Sequence, residues 1–213
     1  MYDNQNNNNV FFDLDGTLHR GDLYHEFILY AIYCNKFKIV VCLPVVLFGL
    51  IGYAIKPTGK WGLNLILFVV FFGKTDDDIK AMADTVAERF DVRSRSYQDV
   101  AVILDRYIEC GREIYLISGS PDFLICRIYD KVLRHHNVHL IATTMQFKCG
   151  SFCIDERCIA RHKLVMLDKA CGQAVYFAEG YSDSDLDMPV LKRCKTAYRV
   201  HRDGTMARWD FTS

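Results

Sequence analysis

Asp13 and Asp15 stand two residues apart in VFFDLDGTL, directly after a short apolar run that reads as the end of a buried strand. Two carboxylates at such a place need a cation, although on their own they also fit a loop of solvated acids around a turn glycine. Ser118, followed by Gly119 and Ser120 in LISGSP, ends a second apolar run just before a helix start. A hydroxyl and free backbone N–H groups there can cradle an anion, and the same residues also suit an ordinary turn. Lys163, in ARHKLVML, opens a later helical stretch and by itself reads as a solvated surface lysine. In GYSDSDLD, Asp183 and Asp187 lie four apart after another strand pattern. On one helical turn those acids repel each other unless a metal lies between them, and an Asp-rich first turn is the plain alternative.

These residues need elements to hold them. VFFDLDGTL (Val10 to Leu18) and EIYLISGSP (Glu113 to Pro121) read as strands running into loops. Val100, Ile103, Leu104, Tyr107 and Ile108 recur at helical spacing before Gly111, and Pro121 suits the first turn of a helix reaching about His136. HLIATTM (His139 to Met145) and AVYFAEG (Ala174 to Gly180) are further strand patterns, with a helix from Ile159 to Ala170 between them. Strands alternating with helices predict an α/β fold with a parallel sheet. KCGSFCIDE, Lys148 to Glu156, departs from the alternation as a surface hairpin. Roughly 80 residues from His19 to about Arg95 carry no strand pattern and predict an all-helical insertion, or cap. Its last helix has Thr75 as cap, Asp76 to Asp78 at the positive end, and Ile79, Met82, Ala83, Val86 and Phe90 on one face. The chain divides into a lead-in over 1–9, an α/β core over 10–18 and 96–213, and a cap over 19–95.

Composition narrows the function classes. The 213 residues carry 26 basic and 26 acidic side chains, so no global field draws the protein to a polyanion and a nucleic-acid partner is not expected. Nine cysteines, an odd number scattered along the chain, argue for reduced thiols rather than a disulfide framework. Cys149, Cys153, Cys158 and His162 are not spaced as a zinc knuckle. The Asn-rich start lacks the n-region and h-region of a signal peptide.

In chain order, DLDGT, LISGS, a helix-opening lysine and SDSDLD are the four-motif set of the haloacid dehalogenase (HAD) phosphatase superfamily, which this sequence resembles across its whole α/β part. The resemblance implies a Rossmann-like core and a role for each residue. Asp13 would be the nucleophile that becomes an aspartyl phosphate, and Asp15 the acid and base. Mg2+ would bind the Asp13 carboxylate, the Asp15 backbone carbonyl and Asp183, with Asp187 orienting that shell. Ser118, Gly119 and Lys163 would hold the phosphoryl oxygens. A cap between the first two motifs resembles the phosphoserine phosphatase branch, which carries a substrate-binding Glu nine residues after the nucleophile. Asp22 stands at that place as a shorter acid, either touching a substrate hydroxyl or capping a helix.

The cap points to a substrate class. Ile39 to Ile55 is 17 residues without a charge, Trp61 to Gly73 is another 13, and only KPTGK intervenes with its flanks. A small cap has little interior to hide both, so residues 39–73 predict an in-plane or re-entrant hairpin at a membrane surface. Leu47 and Phe71 are expected on its lipid face, with Lys36, Lys38, Lys56, Lys60 and Lys74 reaching to headgroups. FFDLDGTLHRGDLYHEFILY, this cap, YLISGSP, RCIARHK and GYSDSDLDMPVL together resemble the bacterial phosphatidylglycerophosphatase C family over nearly the whole chain. That resemblance implies hydrolysis of phosphatidylglycerol phosphate at the inner face of the cytoplasmic membrane, with a phospholipid substrate, a membrane surface and no inferable protein partner. The alternatives are a soluble small-metabolite phosphatase and a membrane-binding module without catalysis.

Overall fold

The structure is a computed structural model that describes residues 8–210. Most of the expected lead-in lies outside those residues, and its end is already structured: Asn9 begins strand β1 (Asn9–Phe12) and pairs with Glu113. Val10, Phe11 and Phe12 are fully buried, as expected of a strand covered on both faces.

The chain then enters the cap. It comprises α1 (Leu23–Cys34), α2 (Lys36–Val41), α3 (Leu43–Ile55), α4 (Trp61–Phe71), α5 (Asp76–Phe90) and the short α6 (Val92–Arg95). The core resumes with α7 (Gln98–Glu109), β2 (Glu113–Pro121), α8 (Asp122–Ile128), α9 (Asp130–Leu133) and β3 (Val138–Thr143). A hairpin follows, β4 (Met145–Lys148) with β5 (Ser151–Ile154). The last elements are α10 (Arg161–Cys171), β6 (Phe177–Ser182), α11 (Met188–Leu191), β7 (Cys194–Val200) and β8 (Met206–Arg208). The main sheet runs β3-β2-β1-β6-β7-β8, parallel except for the β7/β8 pair.

This order sets the site. β1 lies between β2 and β6, and Phe12 is in register with both Leu116 and Tyr181. One or two residues further on, all three strands release their polar residues at the same carboxyl edge, where open α/β sheets bind ligands. One face of the sheet packs Phe11, Ile117, Met166, Leu167 and Val190 against α10 and α11. Phe12, Ile114 and Leu116 belong to the larger core that continues into α7, α8 and the cap.

The expected α/β fold with a helical insertion is therefore present, and α5 matches its prediction closely. Thr75 caps it, Thr75 and Asp78 close a reciprocal capping box, and the five named apolar residues are buried. Several boundaries differ. The helix expected from Pro121 to about His136 breaks at Tyr129, whose buried side chain turns inward.

The cap hairpin is asymmetric, which corrects the expectation for residues 39–73. α4 is mostly buried, with Leu67, Val70 and Phe71 inaccessible, so Phe71 is core rather than lipid face. It packs on β5, where Asn64 accepts from the Ile154 N–H at 2.8 Å and donates to the Ile154 carbonyl at 3.1 Å. The β4/β5 hairpin is thus a floor for the cap, not a surface elaboration. α3 lies outside α4 at close range: a Cβ on Gly62 would meet Tyr53 N at 2.3 Å and Gly49 O at 2.5 Å. Its outer residues, Leu43, Val45, Leu47, Phe48, Leu50, Ile51 and Ile55, are exposed, as are Phe37, Val40 and Val41 of α2. Two of the lysines expected to reach headgroups are engaged on the protein, Lys38 with the Phe72 carbonyl and Lys60 with that of Asp155. Among the described residues no helix is long and apolar enough to cross a membrane.

Candidate active site

Asp13 leaves β1 with its N–H bonded to the Tyr181 carbonyl at 3.0 Å, which fixes the loop to β6. The next turn depends on Gly16, at φ +79°, where L side chains are strained. A Cβ there would also lie 2.3 Å from Asp183 Oδ2, so only glycine lets this backbone press against that carboxylate. Thr17 completes the stitch, donating to Asp13 Oδ2 at 3.3 Å and accepting from the Asp183 N–H at 3.0 Å.

Lys163 is buried at the start of α10, not on the surface. Its Nζ lies 2.7 Å from Asp13 Oδ1 and 2.6 Å from Asp187 Oδ1. Burial works against its charge, but the two carboxylates outweigh burial and hold the ammonium above its ordinary value. Burial likewise pushes the Asp13 carboxyl well up, and Lys163 opposes that shift. Asp187 is buried too and accepts from the Ser182 hydroxyl at 2.8 Å. Its carboxylate pairs with Lys163, yet it still acts on Asp183 as the expected like charge.

Asp15 is tied down separately. Ser118 donates to its Oδ2 at 3.0 Å, while the Leu23 N–H meets Oδ1 at 2.8 Å and His19 Nε2 stands 3.3 Å from Oδ1. Burial would raise this carboxyl, yet the His19 and Leu23 contacts prevail and hold it below the ordinary range. Ser118 also accepts from the Ser120 N–H at 3.0 Å, and the Gly119 carbonyl accepts from Thr143 at 2.7 Å, so this loop is braced from β3. The expected residues thus fall into two bonded groups, Asp13 with Lys163 and Asp187, and Asp15 with Ser118, with Asp183 stitched to Asp13 through Thr17. Asp22 makes no bond to either group and caps α1, accepting from His25 N at 2.8 Å, though burial and then the nearby Asp15 carboxylate raise its own carboxyl. The sequence places His19 near the site without fixing a role for it and assigns none to Thr17; the burial of both is created by distant segments.

The donor set suits a hard cation. Among the described residues Asp183 has no ion-pair partner, and burial, then Asp187, raise its carboxyl above the ordinary value. One lysine therefore faces several carboxylates in a buried place, and the surplus negative charge sits on oxygen ligands of the kind Mg2+ prefers. Among the described residues no three His, Cys, Asp or Glu side chains converge to enclose a metal, so backbone oxygen and water would complete any shell.

Comparisons with known proteins agree with this fold. The haloacid dehalogenase-like hydrolase family matches residues 10–192. A protein of unknown function from Bordetella pertussis Tohama I shares 19% identity over 90% of this chain and 89% of its own, with a TM-score of 0.69. A phosphoserine phosphohydrolase-like protein from Francisella tularensis subsp. tularensis SCHU S4 shares 17% identity, covering 89% of this chain and 85% of its own, at TM-score 0.57. A substrate-bound phosphoserine phosphatase shares 13% identity, covering 91% and 85%, at TM-score 0.55. At these identities the likeness concerns the fold.

Proposed function

The chain belongs to the haloacid dehalogenase-like hydrolases, and from that premise we propose that it is a phosphomonoesterase working through an aspartyl phosphate on Asp13. The observation that carries this reading is the meeting, at one sheet edge, of two bonded pairs, Lys163 on Asp13 and Ser118 on Asp15. Asp13, oriented by Lys163 and Thr17, attacks phosphorus while the ester oxygen departs with a proton from Asp15, whose carboxyl takes that proton up once the negative phosphoryl group stands beside it. Asp15 then takes a proton from the water that attacks the aspartyl phosphate, and phosphate leaves. Lys163 and Ser118 stabilise the charge on the non-bridging oxygens, Lys163 as a cation and Ser118 as a donor. Gly119 contributes backbone to that loop.

Mg2+ would be held by the Asp13 carboxylate, the Asp15 backbone carbonyl and Asp183, where it supplies positive charge against the phosphoryl group. Asp187, engaged by Lys163 and Ser182, is assigned to holding the ammonium in place.

Two substrate readings have separate support. The phosphoserine phosphatase neighbours favour a small soluble phosphate ester. The exposed apolar face of α2 and α3 favours a lipid phosphate, first of all phosphatidylglycerol phosphate, handled at the cytoplasmic face of a membrane. The comparisons support the soluble reading better, while the surface is the one specific observation for the lipid. Phosphate release with Mg2+, measured on phosphatidylglycerol phosphate in mixed micelles beside phosphoserine and glycerol phosphate, separates them. Faster turnover of the lipid supports the second reading, preference for phosphoserine supports the first, and no release from any of the three contradicts the phosphomonoesterase.

A further inference from the structure

Asp15 offers two oxygens, and they are not equivalent. Oδ1 is met by both the Leu23 N–H and His19 Nε2, while Oδ2 takes the Ser118 hydroxyl at 3.0 Å, and the Ser120 hydroxyl also bears on this carboxylate. His19 is fully buried, edge-on to Phe90 at 4.9 Å between ring centroids. Its Nδ1 lies 2.6 Å from the Tyr129 hydroxyl, reached from the break between α8 and α9. Burial, with the Asp15 and Asp13 carboxylates, holds the Tyr129 phenol well above its ordinary range, so it keeps its proton and donates to Nδ1. With Nδ1 taken up by the Tyr129 hydroxyl, Nε2 is the ring nitrogen that faces Asp15 Oδ1.

We infer that His19, fixed by Tyr129, is a positioning residue for Asp15: with the Leu23 N–H it occupies Oδ1 and leaves Oδ2 as the oxygen that exchanges protons. The inference rests on the reading of Asp15 as acid and base. When the ester P–O bond breaks, the Oδ2 proton goes to the leaving oxygen. When water bonds to phosphorus and the Asp13–phosphate bond breaks, the water proton returns to Oδ2. While Oδ2 is protonated, the Ser118 hydroxyl is free to donate to a phosphoryl oxygen.

A leaving-group series tests this, because an acid matters most when the leaving oxygen is basic. The experiment measures kcat/KM for p-nitrophenyl phosphate, phenyl phosphate and an alkyl phosphate with wild type, Tyr129→Phe, His19→Leu, His19→Gln and Asp15→Asn, alongside melting temperatures. His19→Leu should lose about tenfold or more on the alkyl ester and much less on p-nitrophenyl phosphate. Tyr129→Phe should show the same trend more weakly, and His19→Gln, which keeps an N–H, should recover part of the loss. Equal losses on all esters, or no loss, in folded variants would overturn the role of His19. Should His19→Leu fail to fold, Tyr129→Phe decides, since it removes one hydroxyl and keeps the ring. A graded loss in Asp15→Asn without one in the His19 and Tyr129 variants sinks the positioning alone. No graded loss in Asp15→Asn overturns the acid–base reading and this inference with it.

Discussion

Lys163 sits between Asp13 and Asp187 with almost no access to water, so its ammonium depends on the two carboxylates to stay charged. Removing one member of such a set strands the rest, at about 3–5 kcal/mol. Lys163→Met should therefore lower thermal stability steeply as well as end turnover, and a melting curve close to wild type would show that the ammonium is not needed for folding. Gly16→Ala faces a conformational strain at φ +79° and an Asp183 oxygen 2.3 Å from the new Cβ, so activity should fall far more than stability. Full activity in that variant would contradict the close fit of the loop on Asp183. The residues of the four motifs were legible because each sits at a strand or helix end in a fixed order. The partner of Asp187 was not, since only the approach of α10 to the sheet creates it. The burial of His19 was hidden for a similar reason: Phe90 and Tyr129 cause it, and both are remote in sequence.

α3 and α4 look alike as sequence, being apolar on nearly every side, yet they have opposite fates. α4 has Asn64, which pairs with β5, and a row of buried residues ending at Phe71. α3 has only the close contact through Gly49 and Gly62, and its outer half remains exposed. No periodicity could have separated the two, because the difference lies in the hairpin that α4 meets. Phe71→Asp should unfold the protein or cost about 3–5 kcal/mol or more, measured by denaturant titration, since it places a charge where a fully buried ring was. Leu47→Asp, at a side chain 50% exposed, should change stability by no more than about 0.5 kcal/mol. Similar stability losses in both would mean that α3 is as buried as α4. Gly62→Leu should part the two helices and destabilise the cap, and an unchanged melting temperature would refute their close crossing.

At the scale of the whole molecule, the sheet edge gathers the residues of the four motifs and the cap presents an exposed apolar face on α2 and α3. The parallel order was readable from alternating patterns, and the insertion from the missing strands, so the division into core and cap was visible before the structure. The depth of the cap in its own core was not. If the exposed face of α2 and α3 meets lipid, wild type should co-sediment with anionic vesicles and Leu47→Asp should do so less, while both hydrolyse a soluble aryl phosphate equally. Equal sedimentation of the two would remove the support for the lipid reading without touching the chemistry. The proposed chemistry rests on a covalent bond to one carboxylate. Acid quench of the enzyme during turnover of a radiolabelled phosphate ester, followed by peptide mapping, should find a hydroxylamine-labile label on Asp13 that is absent from Asp13→Asn. Label on Ser118, or turnover with no covalent phosphoenzyme at any quench time, would contradict the account.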